Sequence, residues 1–209
     1  MEMIQFPTEL WVGDNALTNL ETLQGKRVFV VTDPFMVESG FVENVTKHLS
    51  HSEYLIFSDI VPDPPIDKIV SGIKQLADFN GDMIVALGGG SAIDAAKAMK
   101  YFGKRTMNLQ VDQFIAIPTT SGTGSEVTNF SVITIAETET KIPLVTNEIQ
   151  PDVAILDTAL VMSVPPKITA DTGMDVLTHV IEAYVSTEAN PIADALCEKV
   201  VRLVFENLE

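Results

Sequence analysis

Short runs of consecutive apolar residues recur along most of the chain, at residues 28–31, 83–87, 114–117 and 153–156. None alternates apolar with polar. Runs of that length predict strands buried on both faces, as in a parallel sheet. Residues 55–57 form a weaker fifth candidate. Helical spacing fills the intervals. Apolar residues fall at 41, 42, 45 and 49, and again at 66, 69, 70, 73, 76 and 79. Both sets match a helix with one buried face. Strand–helix alternation predicts a doubly wound, Rossmann-like α/β domain over residues 1–167. Its ligand crevice is expected at the carboxyl ends of the strands.

Pro62-Asp-Pro-Pro65 reads as a rigid loop before a helix, and Val164-Pro-Pro-Lys167 closes the α/β part. Residues 168–209 show no strand signal and read as the first helices of an all-helical domain. Phe205-Glu-Asn-Leu-Glu209 carries no stop signal, which predicts that this second domain continues beyond the sequence.

Composition narrows the functional classes. Of 209 residues, 46% are apolar, enough for a sizeable core, and the net charge is −16. That balance argues against nucleic acid or an anionic membrane as partner, since either needs a basic patch. A lone cysteine, Cys197, excludes a disulfide framework, suits a reducing compartment and is expected to be buried and inert. With no secretory pattern at the N-terminus and no apolar run of about 18 residues, a soluble cytoplasmic protein is expected.

Every chemically suggestive loop follows an apolar run. Gly88-Gly-Gly-Ser-Ala-Ile-Asp-Ala-Ala-Lys97 follows residues 83–87 and opens a helix. Glycines admit a phosphate close to the backbone, and a helix N-terminus offers free N–H groups. The same residues also read as a glycine turn closed by a capping box, with Ser91 as N-cap and Asp94 three residues on. Pro118-Thr-Thr-Ser-Gly-Thr-Gly-Ser-Glu-Val-Thr128 gathers hydroxyls that bond phosphate, ribose or carboxamide, or forms an ordinary polar loop. Asp33 ends the strand at 28–31. A carboxylate there accepts from ribose hydroxyls and repels a 2′-phosphate, favouring NAD over NADP, or it starts a turn before Pro34. Lys141 follows a polar turn at residues 137–140, and His48 and His51 read as helix-end histidines.

Asp175 and His179 stand four apart in a helical stretch and so share one face. A carboxylate oxygen and an imidazole nitrogen there can reach one divalent ion. An exposed polar pair has the same spacing. Catalytic metals usually take three or four protein ligands, so the pair reads as half a site.

Jointly these segments resemble the iron-containing (group III) alcohol dehydrogenases, which share the dehydroquinate synthase-like fold. The matching residues are Gly88-Gly-Gly-Ser-x-x-Asp94-x-x-Lys97, Pro118-Thr-Thr-x-Gly-Thr-x-x-Glu-Val-Thr128 and Thr172-Gly-x-Asp175-x-Leu-Thr-His179-x-x-Glu182. The resemblance implies an N-terminal NAD(P) domain and a C-terminal helical domain, with Fe²⁺, or Zn²⁺ in some members, held by one Asp and three His. Asp175 and His179 match two of those ligands. By resemblance, Gly89, Gly90 and Ser91 hold the pyrophosphate, and Gly88 and Asp94 of the same motif are cofactor-binding. Thr119, Thr120, Thr123 and Thr128 line the phosphate and nicotinamide-ribose side, Asp33 takes the adenosine ribose, and Lys141 approaches the nicotinamide ribose and metal. The implied activity is reversible oxidoreduction of a small alcohol and its aldehyde, by an enzyme of a family whose members often dimerise. Two alternatives stay open: a glycerol dehydrogenase-like polyol oxidoreductase, and, for these residues alone, an NAD-binding piece without catalysis.

Overall fold

The computed structural model describes residues 5–135, 138, 140–162 and 164–208. The chain divides into two compact units, Met1–Thr119 with Gly124–Leu160, and Thr120–Thr123 with Val161–Glu209.

The first unit is built on a six-stranded sheet. Its strands are β1 (Glu9–Val12), β2 (Arg27–Val31), β3 (Glu53–Phe57), β4 (Met83–Gly88), β5 (Gln113–Pro118) and, after a hairpin, β8 (Val153–Leu156). The order is β1-β8-β5-β4-β2-β3 and every pairing is parallel. Residues Val28–Val31, all of β4 and Phe114–Pro118 are buried, which explains their unbroken apolar runs. One face carries α3 (Ile66–Phe79) and α4 (Gly90–Met107), packing Ile69, Ile73, Leu76, Ile93 and Met99 against Phe29, Phe57, Ile84 and Phe114. The other carries α1 (Pro34–Glu38), α2 (Glu43–Thr46) and a 3-10 turn at Ala16–Thr22, around Val30, Val85, Ile115 and Ile155. Covered on both faces, this is the doubly wound α/β arrangement.

The structure corrects the sequence reading in three places. The helix expected over 41–49 is regular only at α2. The edge strand β1 and the antiparallel hairpin β6 (Phe130–Ile135) and β7 (Thr140–Val145) are absent from the sequence reading: β1 and β7 are largely exposed, and Ser131 and Thr134 interrupt the apolar residues of β6. The capping box does not form. Gly88 has φ +150°, the N-cap is Gly89 with no side-chain bond, and α4 already starts at Gly90. The turn expected at 137–140 falls partly outside the described residues.

The second unit contains α5 (Pro166–Tyr184) and α6 (Pro191–Asn207). Proline sits in the first turn of each, where its missing N–H costs nothing. Asn190 caps α6 by accepting from the backbone N–H groups of Ile192 and Ala193, each at 3.1 Å. Cys197 is buried and lines a pocket together with Val180, Ile181 and Tyr184 of α5. No helix among the described residues is long and apolar enough to cross a membrane.

Candidate functional site

β2 feeds β3 on one side, and the chain then returns to place β4 on the other. The strand order therefore reverses between β2 and β4, and a ligand crevice is expected where these strands end. Asp33 and Gly88 occupy those ends. Asp33 Oδ1 accepts from Met36 N at 3.1 Å, capping α1, while Oδ2 would lie 3.4 Å from a Cβ built on Gly88. The same Cβ would meet Ala92 Cβ at 2.8 Å. Glycine is required at 88 both for space and for a φ that L side chains rarely adopt. The result is a bare turn feeding Gly89, Gly90 and Ser91 into the first turn of α4, beside a carboxylate. Thr32, fully buried, donates its hydroxyl to Leu87 O at 2.8 Å and ties the two strand ends together.

The hydroxyl-rich loop leaves β5 beside this turn, with Thr119 N donating to Gly88 O at 3.1 Å. Its later part is fixed from beneath by a buried polar cluster. Lys97, 0% exposed, donates to Ser125 Oγ at 2.9 Å, Thr128 Oγ1 at 3.1 Å and Phe130 O at 2.7 Å. Asp94 Oδ1 accepts from Ser125 Oγ at 2.6 Å, and Oδ2 accepts from Val132 N at 2.9 Å. The two charges are 3.9 Å apart. Burial pushes the Lys97 ammonium down to about 8, against the pull of Asp94 and Glu126. Burial raises Asp94 and Glu126, more than the hydrogen bonds and Lys97 lower them. Asp94 and Thr128 are thus bonded inside the protein, where they hold the loop's second half on α4.

Lys97 stood in the sequence motif without a role, because a helical lysine normally reads as a solvated charge. The available signal was its setting, Ala95-Ala-Lys-Ala-Met99, a run otherwise wholly apolar. Lys141, on the exposed strand β7, donates to Asp63 Oδ1 at 2.7 Å. His48 pairs with Glu21 at 2.8 Å.

In the second unit, Asp175 and His179 lie one turn apart on α5, with Oδ1 and Nε2 separated by 3.8 Å and both side chains partly exposed. Among the described residues, no group of three or more His, Cys, Asp or Glu side chains is arranged to hold a metal. The pair supplies one oxygen and one nitrogen donor, a set that suits Fe²⁺ or Zn²⁺. Within this unit the tip of the hydroxyl-rich loop packs on the same helix. A Cβ on Gly122 would fall 2.7 Å from Thr172 Cβ and 2.9 Å from Thr172 O.

The chain matches known proteins over nearly its whole length. Residues 7–158 match the family described as iron-containing alcohol dehydrogenase, and residues 169–209 match the C-terminal part of the Fe-containing alcohol dehydrogenase family. The chain is 46% identical to the 1-propanol dehydrogenase PduQ of Citrobacter freundii, over 100% of its own length and 56% of the relative's. It is 39% identical to the NADPH-dependent butanol dehydrogenase of Clostridium saccharobutylicum, covering 58% of that protein. It thus spans little more than half the length of these relatives. The structure of sulfoacetaldehyde reductase from Bifidobacterium kashiwanohense in complex with NAD+ superposes with a TM-score of 0.91 at 31% identity, covering 100% of this chain and 60% of that one. On the two family matches, which together cover nearly all of it, the chain belongs to the iron-containing alcohol dehydrogenase family.

Proposed function

We propose that the full-length protein is an NAD-dependent, divalent-metal-dependent alcohol dehydrogenase that interconverts a small alcohol and its aldehyde. One observation carries this reading: the Asp33 carboxylate and the side-chain-free turn at Gly88 stand together where the strand order reverses. A dinucleotide suits that arrangement. The N–H groups of Gly89, Gly90 and Ser91 face the pyrophosphate at the positive end of α4. Asp33 accepts from the adenosine ribose hydroxyls and disfavours a 2′-phosphate, even though one relative is named NADPH-dependent. Thr119, Thr120 and Thr123 line the nicotinamide side. Asp94 and Thr128 act by holding that loop. Lys141 reaches the nicotinamide ribose only after leaving Asp63.

Asp175 and His179 hold the metal as ligands rather than as acid and base, with further donors supplied by the remainder of the full-length protein. When bound, the ion supplies Lewis acidity that eases loss of the substrate hydroxyl proton. The nicotinamide carries the hydride, and the protein contributes position and electrostatic field. The relatives' names, propanol and butanol dehydrogenase, favour a short aliphatic substrate. A cytoplasmic location fits the single cysteine.

For these 209 residues alone we propose NAD binding without turnover, because two donors hold an ion weakly. Calorimetric titration with NAD+, with and without Fe²⁺ or Zn²⁺, tests this. Binding indifferent to metal supports it, and tight metal binding that strengthens NAD+ affinity refutes it. In the full-length protein, Asp175→Ala should abolish metal-dependent turnover. Unchanged activity with stoichiometric metal would overturn the ligand assignment.

A further inference from the structure

We propose that Gly122 is a positioning residue, whose missing side chain seats the tip of the hydroxyl-rich loop on α5 and thereby sets the spacing between the Thr120 and Thr123 hydroxyls and the Asp175–His179 pair. The inference rests on the dinucleotide and metal reading above.

The loop's two glycines serve different ends. Gly124 has φ +65° and nothing within 4 Å of a built Cβ, so its backbone conformation demands glycine. Gly122 lies outside the left-handed region, and its backbone suits alanine. Space excludes it instead. An added Cβ would meet Thr172 Cβ at 2.7 Å, Thr172 O at 2.9 Å and Thr172 Cα at 3.2 Å. Two of those three atoms are helix backbone, so no rotamer change relieves the clash. Nor is the Thr172 side chain loose, since its hydroxyl donates to Ile168 O at 2.9 Å and lies 3.3 Å from Thr169 O.

Thr172 also shares a helix face with the proposed ligands. Asp175 is i+3 and His179 i+7 from it, both within roughly 60° of its direction at about 100° per residue. The helix rise places Asp175 about 4.5 Å and His179 about 10 Å further along the axis. On the loop side, Gly122 is flanked closely by Thr120 and Thr123. The close approach of Gly122 to Thr172 therefore seats these two threonines beside the helix that bears Asp175 and His179. An alanine at 122 forces loop and helix apart by roughly 1 Å, and a misplacement of that size costs about 100-fold when hydride donor and acceptor must be held in register.

The test is a double-mutant cycle in the full-length protein, with Gly122→Ala, Thr172→Gly and the pair. NAD+ affinity is read by calorimetry and Zn²⁺ affinity by chelator competition, each with and without the other, and kcat is followed in parallel. In the parent, NAD+ is expected to raise Zn²⁺ affinity. In Gly122→Ala, each ligand alone should bind within about threefold of the parent, while the mutual enhancement falls by about fivefold or more. kcat should drop further than KM for NAD+ rises. Thr172→Gly should restore part of the loss. Gly124→Ala, which strains the same loop without touching the helix, should lower thermal stability and keep the enhancement. The proposal is overturned if Gly122→Ala keeps the enhancement, if Gly124→Ala loses it equally, or if Thr172→Gly recovers nothing. Should Gly122→Ala fail to fold alone, comparing the double variant with Thr172→Gly makes the same measurement. A parent that binds NAD+ and Zn²⁺ with no mutual enhancement refutes the positioning role alone. A parent that binds neither refutes the dehydrogenase reading itself.

Discussion

The Ser125 hydroxyl donates to Asp94 Oδ1 at 2.6 Å while accepting from Lys97 Nζ at 2.9 Å. A neutral group therefore sits between a buried cation and a buried anion, and the segment carrying it is the second half of the proposed cofactor loop. Desolvating both charges is costly. The arrangement persists because almost every donor and acceptor around them is matched.

Asp94→Ala should accordingly be among the most damaging single changes in the first unit. It leaves Lys97 without its counter-charge and Val132 N without its acceptor. Stripping one partner from a buried pair typically costs about 3 kcal/mol or more. In a protein of this size that is a melting-temperature drop of about 6–12 °C. Calorimetry of the parent and variant checks it, and a shift under about 2 °C would mean the cluster is far wetter than its burial implies.

Lys97 also gives stability a distinctive alkaline slope. Its ammonium titrates at about 8 when folded, against 10.5 as the ordinary value. Between these values the unfolded chain binds more protons than the folded one, so this group's contribution to stability rises with pH across the window. Its penalty is complete below the folded value and gone above the unfolded one. Urea unfolding of the parent and Lys97→Met from about pH 7 to 10 should give curves that differ in slope as well as height. Parallel curves would show that Lys97 is not desolvated.

Cofactor preference should hinge on Asp33. Asp33→Ser keeps an oxygen for the Met36 N–H and so preserves the cap on α1, but removes the charge. The ratio of NADP+ to NAD+ affinity should rise by about tenfold, equivalent to roughly 1.4 kcal/mol. An unchanged ratio would move the adenosine ribose away from the end of β2.

Gly88→Ala combines a clash with Ala92 Cβ at 2.8 Å and a φ of +150°. The strain alone is worth about 1–3 kcal/mol. NAD+ binding should be lost together with stability. A variant that melts like the parent would show that the turn rearranges freely.

What could be read from the sequence followed from burial. Residues 28–31, 83–87, 114–117 and 153–156 announced themselves because a strand covered on both faces has no polar side to display. β1 and β7 stayed hidden for the converse reason, and β6 because Ser131 and Thr134 interrupt its apolar residues. β7 is almost entirely exposed and contains Lys141 and Pro143, residues that ordinarily argue against a strand. The glycine turn was legible as a motif, but not the φ at Gly88 that shifts the helix start and leaves Ser91 uncapping. Ser125 and Lys97 were illegible as partners, since 28 residues separate them and the fold brings them together by packing the turn at Ser125–Val127 onto α4. Gly122 looked interchangeable with Gly124 until the fold set one beside Thr172 and left the other in open space.

The pairing of β1 with β8 has a consequence for how the protein comes into being. Thr8 Oγ1 donates to Pro151 O across 143 residues of chain, and the two strands run in register from Glu9↔Val153 to Val12↔Leu156. Contacts that distant in sequence form late, because the intervening loop must close before they reward it. At synthesis rates of about 5–20 residues per second, β1 waits roughly 7–30 s for its partner to be made. During that interval Leu10, Trp11 and Val12 are an unpaired apolar edge. β1 is thus made long before the strand it pairs with, and until then its edge is open to pairing with the wrong neighbour.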